Sequence, residues 1–483
     1  MRSDGIWVGL TRINMLMLLL LSISFMVDIL YGDLGISNVL VFTVPFIAGL
    51  VLYMVQFIIL GGKMKRLTKR ARYKTAMGSF LYIVILGALP FLLSGKMGLF
   101  TALFESMAGF TTTGLSSFDP SDMLDVSRGL LFFRVAIQWM GGLFYLIFAF
   151  MFLSDLSDVA KRSADRKLFA GIGLVPRLTN LIQSLTLIYG LFTVAAILAF
   201  SISGMGIFDS VCLSLGTVST GGFTSTGRII QEGVGIHMIV LVLMFFAGMG
   251  YYVHMSIFSA RGRRKTIFDT ENIAYVTITL TFPIAVFLIL VMDGMPFLDS
   301  VWNGAFSAIS ALTTTGFMVE GSGNWPDSYK FLMLILMMIG GSTLSLASGF
   351  KVQRVILLIR GFFGEVKRAS HPRAMITIKR GEGTYSEKAL ESANMSFFYL
   401  FGLLAFTICF ILVFHEGLFD VISLSVTSVT NAGLAFGPFA GPDGINSLNW
   451  AVKSLLFLTM FLGRFEILVP IYFLSPGSYR FTG

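Results

Sequence analysis

One short pattern occurs four times in this chain, and that recurrence limits its possible folds more than any other feature. The versions are Phe110-Thr-Thr-Thr-Gly114, Val218-Ser-Thr-Gly-Gly222, Leu312-Thr-Thr-Thr-Gly316 and Val429-Thr-Asn-Ala-Gly433. Aligned on the last glycine, the residue three places earlier carries a hydroxyl in every version: Thr111, Ser219, Thr313 and Thr430. Next come Thr112, Thr220, Thr314 and Asn431, then Thr113, Gly221, Thr315 and Ala432. A bulky apolar residue follows each glycine: Leu115, Phe223, Phe317 and Leu434. Upstream, at one constant distance, stand Thr101, Asp209, Asn303 and Asp420, residue types that predict a helix N-cap. Four copies of a cap, a short apolar helix and a hydroxyl-glycine turn predict four like units around one axis.

The chemistry of such a unit suits a cation. Each short helix would aim its partially negative C-terminal end at the following turn. Glycine permits backbone conformations that side chains forbid, so turn carbonyls can face inward. Four turns around an axis would stack rings of oxygens able to replace an ion's hydration shell. Oxygen ligands without carboxylates suit a monovalent cation better than Ca²⁺ or Mg²⁺. The plainer alternative is four ordinary turns between helices, which four copies in register argue against.

The rest of the chain is built for a membrane. Of its 483 residues 55% are hydrophobic and 13% charged, against about 25% charged in soluble domains; mean hydropathy is +0.83. The net charge of +9 lies mainly in loops, where it sets orientation rather than marking a nucleic-acid partner. The stretch 63–74 carries seven basic residues and no acid and belongs inside, which puts both termini inside. Helices are expected near 7–30 and 38–60, the first retained rather than cleaved. In the repeats, long helices are expected near 78–93 and 128–153, 178–202 and 234–258, 272–292 and from 331, and 397–414 and 448–473. The expectation is ten spanning and four re-entrant helices: an all-α integral membrane protein of two N-terminal helices (1–62) and four repeats (78–154, 178–260, 272–364, 395–483).

Three features inside the apolar helices stand out. Trp139-Met-Gly-Gly142 and Ala247-Gly-Met-Gly250 allow bends or close packing. In the third repeat, Gly340-Gly341-Ser342-Thr343-Leu-Ser345-Leu-Ala-Ser348-Gly349 interrupts the second helix before Lys351 and Arg354. Non-helical backbone at membrane depth survives only where protein or water surrounds it, so this segment is a candidate gate. Arg464 falls where other repeats have mid-helix glycines. It either projects under the turns as an electrostatic barrier or reaches the inner surface or Glu466.

These residues resemble the TrkH/TrkG/KtrB superfamily of K⁺ transporters, which includes the plant HKT proteins. The likeness runs from about Gly78 to the C-terminus and is carried by 110–114, 219–223, Gly340-Gly-Ser342 with Lys351, Leu462-Gly-Arg464 and Ser475-Pro-Gly-Ser-Tyr-Arg480. The two extra N-terminal helices look like TrkH. The resemblance implies potassium uptake across a bacterial inner membrane, through a carbonyl filter around Gly114, Gly222, Gly316 and Gly433. It implies an intramembrane gating loop in the third repeat, an arginine at Arg464, a homodimer and a cytosolic nucleotide-binding ring, TrkA, as partner. No cofactor is implied in this chain beyond the transported K⁺, and any nucleotide acts through that partner. A serine in the first filter accompanies Na⁺ preference in plant relatives, and all four glycines are present here. The gating loop carries less glycine than usual, the first repeat reads Gly141-Gly-Leu-Phe144, and the fourth filter has Ala432.

Other functions fit less well. The chain has no phosphate-binding Gly-x-x-x-x-Gly-Lys-Ser/Thr loop and no His-Glu-x-x-His. His237, His254, His371 and His415 are scattered, and Cys212 and Cys409 lie in apolar stretches. A Na⁺ or mixed Na⁺/K⁺ pathway, or a non-conducting assembly subunit, remains open on the residues alone, as does coupling of transport to H⁺ or Na⁺.

Overall fold

The computed structural model describes residues 4–33, 35–60, 69–118, 123, 125–159, 178–226, 234–257, 266–319, 321–371, 379–380, 383–385 and 387–465. Helices α1 (Asp4–Tyr31) and α2 (Ile36–Leu60) form an N-terminal hairpin against α3 (Lys69–Leu93). A short helix α4 (Leu99–Phe110) and a long α5 (Arg128–Val159) follow. The second set is α6 (Leu178–Ile202), α7 (Ile207–Val218), α8 (Val234–Ala247) and α9 (Tyr251–Ile257). The third is α10 (Thr270–Met292), α11 (Phe297–Leu312), α12 (Asp327–Ile339) and α13 (Val352–Ser370). After a two-residue antiparallel ladder, β1 (Lys379–Arg380) with β2 (Gly383–Thr384), come α14 (Glu387–Leu412), α15 (Leu418–Thr430), α16 (Pro442–Ser447) and α17 (Trp450–Arg464).

Each short helix packs against the long helix before it: α3 with α4, α6 with α7, α10 with α11, α14 with α15. Glycine makes the reversal between them. Gly95, Gly204 and Gly294 have φ of +72°, +92° and +91°. Behind two of them, Met205 N donates to the Phe200 carbonyl and Met295 N to that of Leu290, which closes off the long helix. The short helices have 12, 12, 16 and 13 residues. At about 1.5 Å per residue none can cross about 30 Å of hydrocarbon, so each must dip in and turn back.

Two expectations need correction. Thr101, Asp209, Asn303 and Asp420 are not N-caps; the helices begin earlier, behind Gly98, Gly206, Pro296 and Gly417. Asp209 and Asp420 lie in the first turn, where a carboxylate also suits the helix dipole. The side chains of Thr101 and Asp209 hold neighbouring chain: Lys453 Nζ donates to Thr101 Oγ1 (2.9 Å) and Ser225 Oγ to Asp209 Oδ1 (2.7 Å). The second correction concerns one long helix. Among the described residues, 7 single helices are long and apolar enough to span a membrane. In the second set the expected continuous helix is split into α8 and α9 at Gly248-Met-Gly250. In the third the expected interruption falls at 340–351, and in the fourth the helix is described to Arg464.

Burial separates core helices from the periphery. In the span of α5, 67% of residues are buried, against 22% for α10 and α14, so α5 is enclosed by protein. The outer face of α6 carries Leu187, Leu191, Val194 and Leu198, all exposed and at helical spacing. Water would oppose that surface and lipid would not. Inside, Phe80 packs on Phe110, Phe144, Phe461 and Phe465 with ring centroids 6.2, 5.4, 5.9 and 4.7 Å away, joining the first set to the fourth.

Candidate functional site

The four short helices converge on their C-terminal turns. In the first three the capping residue, Thr111, Ser219 or Thr313, has φ of −84°, −77° or −82°. The next, Thr112, Thr220, Thr314 or Asn431, is left-handed at +53°, +54°, +50° or +51°. The glycine two residues on, Gly114, Gly222, Gly316 or Gly433, is again positive at +80°, +79°, +86° or +74°. A β-branched residue at positive φ is a costly conformation. The helix ends hold it in place: the N–H groups of Thr113, Gly221, Thr315 and Ala432 donate to the carbonyls of Ala108, Gly216, Ser310 and Thr427. With the amides tied back to the helix, the turn carbonyls are left to face elsewhere.

The turns close on one another. A Cβ placed on Gly114 would come within 3.0 Å of the Gly221 carbonyl oxygen, and one on Gly222 within 3.0 Å of that of Thr315. Gly316 meets Ala432 in the same way, and Gly433 meets Thr113. Each glycine thus abuts the carbonyl just before the next glycine, and the fourth returns to the first. Only glycine satisfies both the positive φ and that approach. A cavity of about 520 Å³ opens onto all four glycines, walled by Leu115, Phe223 and Phe317 among others.

Side chains brace the ring. Thr111 Oγ1 and Thr113 Oγ1 are 2.7 Å apart, and Thr313 Oγ1 and Thr315 Oγ1 2.8 Å. Asn431 Nδ2 donates to Thr113 Oγ1 (2.8 Å), locking the fourth turn to the first, and to the Met460 carbonyl (2.9 Å). Thr112 Oγ1 and Thr220 Oγ1 are buried without a hydrogen-bond partner among the described residues. Gly141 on α5 and Gly463 on α17 press against the Phe110 and Val429 carbonyls, where a Cβ would not fit. The glycines of α5 therefore serve close packing and do not break the helix.

Residues 340–351 lie near the third turn as buried, non-helical chain. Gly340, Leu344, Gly349 and Lys351 have φ of +71°, +59°, +83° and +80°. Ser348 N donates to Thr314 Oγ1 (2.8 Å), tying the segment to the third turn. Ser342 N donates to the Gly248 carbonyl (3.0 Å) and Tyr251 N to that of Leu344 (3.0 Å), so the break in the second set receives it. Thr343 N donates to the Glu271 carboxylate, and Lys351 Nζ to the Ala347 carbonyl. Arg464 Nη1 donates to the Leu346 carbonyl (3.0 Å) and Ser348 Oγ (2.8 Å), with its guanidinium 4.0 Å from the centre of the Tyr145 ring. Only 1% exposed, Arg464 does not reach a surface; Glu466 lies outside the described residues. Ser345, beside Ser342, hydrogen-bonds that residue's own carbonyl (2.6 Å), and Gly341 sits where a Cβ would strike Ala347.

Several residues with no place in the sequence pattern proved central. Arg134 and Glu105, 2% and 0% exposed, pair at 2.8 Å; Arg134 also donates to Thr224 O and Ser116 Oγ. Glu105 accepts from Ser117 N (2.8 Å) and Ser117 Oγ (2.9 Å), so the pair anchors the chain leaving the first turn. Gln138 bonds both sides of Gly222, and Glu271 holds Thr343. The available signal was a polar or charged residue inside an apolar helix. Among the described residues no three His, Cys, Asp or Glu converge to hold a metal.

The family described as TrkH, cation transport protein, matches residues 50–476. The Trk system potassium uptake protein TrkH of Escherichia coli K12 is 29% identical over 411 residues, covering 82% of this chain and 83% of that protein. The protein of the same name from Halomonas elongata is 28% identical over 445 residues, covering 86% and 87%. The crystal structure of the potassium transporter TrkH from Vibrio parahaemolyticus superposes with a TM-score of 0.85 at 24% identity, covering 99% of both chains.

Proposed function

Because this chain belongs to the TrkH family of cation transport proteins, we propose that it takes up potassium through a pore on the axis of the four turns. The observation that carries this reading is the cyclic closure of Gly114, Gly222, Gly316 and Gly433 on one another's carbonyls. Oxygens held in a ring by tied-back helix ends exchange for an ion's water without first reorganising. The four units, 78–154, 178–260, 272–364 and 395–483, each contribute one filter turn: Thr111–Gly114, Ser219–Gly222, Thr313–Gly316 and Thr430–Gly433. The short helices add the negative ends of their dipoles. Potassium, rather than cations in general, is supported by the names of the relatives and by the glycine kept in every turn.

Residues 340–349 form the gate in this reading, held shut by Lys351, Arg464 and Glu271. Arg464 adds a positive charge under the filter, which lowers cation occupancy there. Both termini face the cytoplasm of a cell whose inner membrane holds the protein, and it works as a homodimer on a cytosolic TrkA-like ring.

The test is ion flux into proteoliposomes holding this protein alone, with K⁺, Rb⁺, Na⁺ and Li⁺ compared at fixed voltage. K⁺ and Rb⁺ should pass well ahead of Na⁺ and Li⁺. Equal Na⁺ flux would keep the pore and overturn its selectivity. No flux for any ion, with or without a TrkA-like ring, would overturn the pore.

A further inference from the structure

We propose that Gln138 is a specificity-determining residue, a positioning group on α5 that sets the Gly221 carbonyl and so the field the ring presents to a cation. The inference rests on the pore reading above. Gln138 is fully buried. Its amide bridges the second turn: Nε2 donates to the Gly221 carbonyl (2.6 Å), and Oε1 accepts from Phe223 N (3.1 Å). The Gly221 oxygen is the one that abuts Gly114. The carbonyls of equal rank belong to Thr113, Thr315 and Ala432. No hydrogen bond between described residues ends on those three. One oxygen of four in that layer therefore carries a side-chain donor.

The local sequence has the same origin. In the first and third turns the equivalent position is a threonine, Thr113 or Thr315, bonded to the threonine two residues earlier. In the second it is Gly221, where a Cβ would come within 3.0 Å of the Gln138 amide. Gln138 fills the space of the side chain that Gly221 lacks. The two residues are one solution to bracing a turn that the first and third sets brace locally.

The direction of the effect follows from electrostatics. An amide N–H on the Gly221 carbonyl occupies a lone pair and sets a partial positive charge beside the ion path. It also holds the oxygen against swinging inward. A weaker field and a fixed radius both favour the larger, more easily dehydrated cation. Without the donor, the ring can close on a smaller ion.

The K⁺/Na⁺ flux ratio in proteoliposomes tests this. In Gln138→Met, which keeps the bulk and removes both bonds, the ratio should fall about fivefold, the scale of one neutral hydrogen bond. Gln138→Ala should also lower it. The double variant Gln138→Ala/Gly221→Thr, which rebuilds the bracing of the first and third turns, should return it towards wild type. A Gln138→Met ratio within about twofold of wild type, or equal loss of flux for every ion, would assign Gln138 a structural role only and overturn the inference. If Gln138→Met does not fold, failure of the double variant to improve on Gln138→Ala overturns it instead. A wild-type protein without K⁺ preference would overturn the selectivity reading along with it, so the two failures are distinguishable.

Discussion

Gly114 carries two constraints at once, a φ of +80° and the Gly221 carbonyl where its Cβ would stand. Serine in its place must both adopt a left-handed conformation and push that carbonyl outward. Such backbone strain costs on the order of 1–3 kcal/mol. The ring cannot absorb it at one point, because each turn is wedged against the next. Gly114→Ser is expected to lower the K⁺/Na⁺ flux ratio at least tenfold, on the order of 1.4 kcal/mol of discrimination, in protein that still elutes as a folded species; an unchanged ratio would sink the filter assignment. The Arg134–Glu105 pair is a different kind of residue-scale feature. Its charges are satisfied by Ser116, Ser117 and Thr224, so it specifies where the chain goes after the first turn more than it adds stability.

The elements divide into those whose form is local and those whose form is borrowed. The short helices end where they do because the amides of Thr113, Gly221, Thr315 and Ala432 fold back on them. Helix α5, by contrast, begins with help from the N-terminal hairpin. Gly129 N donates to buried Asp28 Oδ1 (2.6 Å), Ser127 Oγ to Asp28 Oδ2 (3.1 Å), and Arg128 N to Asp33 Oδ2 (3.0 Å). The hairpin therefore caps the most buried of the seven candidate spans among the described residues. Asp28→Ala removes the acceptor of Gly129 N and Ser127 Oγ and should cost about 1–2 kcal/mol. It would appear as a lower melting temperature in detergent, whereas a melt equal to wild type would make the hairpin a peripheral addition. The 340–351 segment borrows most of all: its conformation depends on Thr314, Gly248, Glu271 and Arg464, contributed by other elements.

For the whole molecule, orientation is the property still carried by sequence alone. The basic stretch 63–74 argues for an inner location, while Lys96 sits just before a short helix at the opposite end of α3. Native Cys212 is buried and Cys409 lies on the apolar exterior, so an introduced thiol can be read cleanly. Lys96→Cys should react with a membrane-impermeant maleimide in intact cells, and Lys65→Cys only after the inner face is opened; the reverse pattern would invert the topology. The sequence by itself determined the membrane class, the four turns, the glycine at the head of each and the break before Lys351. These are local properties: apolar run length, hydroxyl-glycine spacing and conformations that only glycine takes freely. Two expectations failed for reasons equally physical. The N-caps were displaced because aspartate suits a first turn as well as a cap, and the second set's long helix proved to be broken where it receives the 340–351 segment. Only the tertiary structure decided the order of closure of the ring, the partners of Arg464, and the pairing of Gln138 with Gly221. Those contacts join residues at least 83 positions apart, and no periodicity in a sequence records which distant carbonyl a buried side chain will meet.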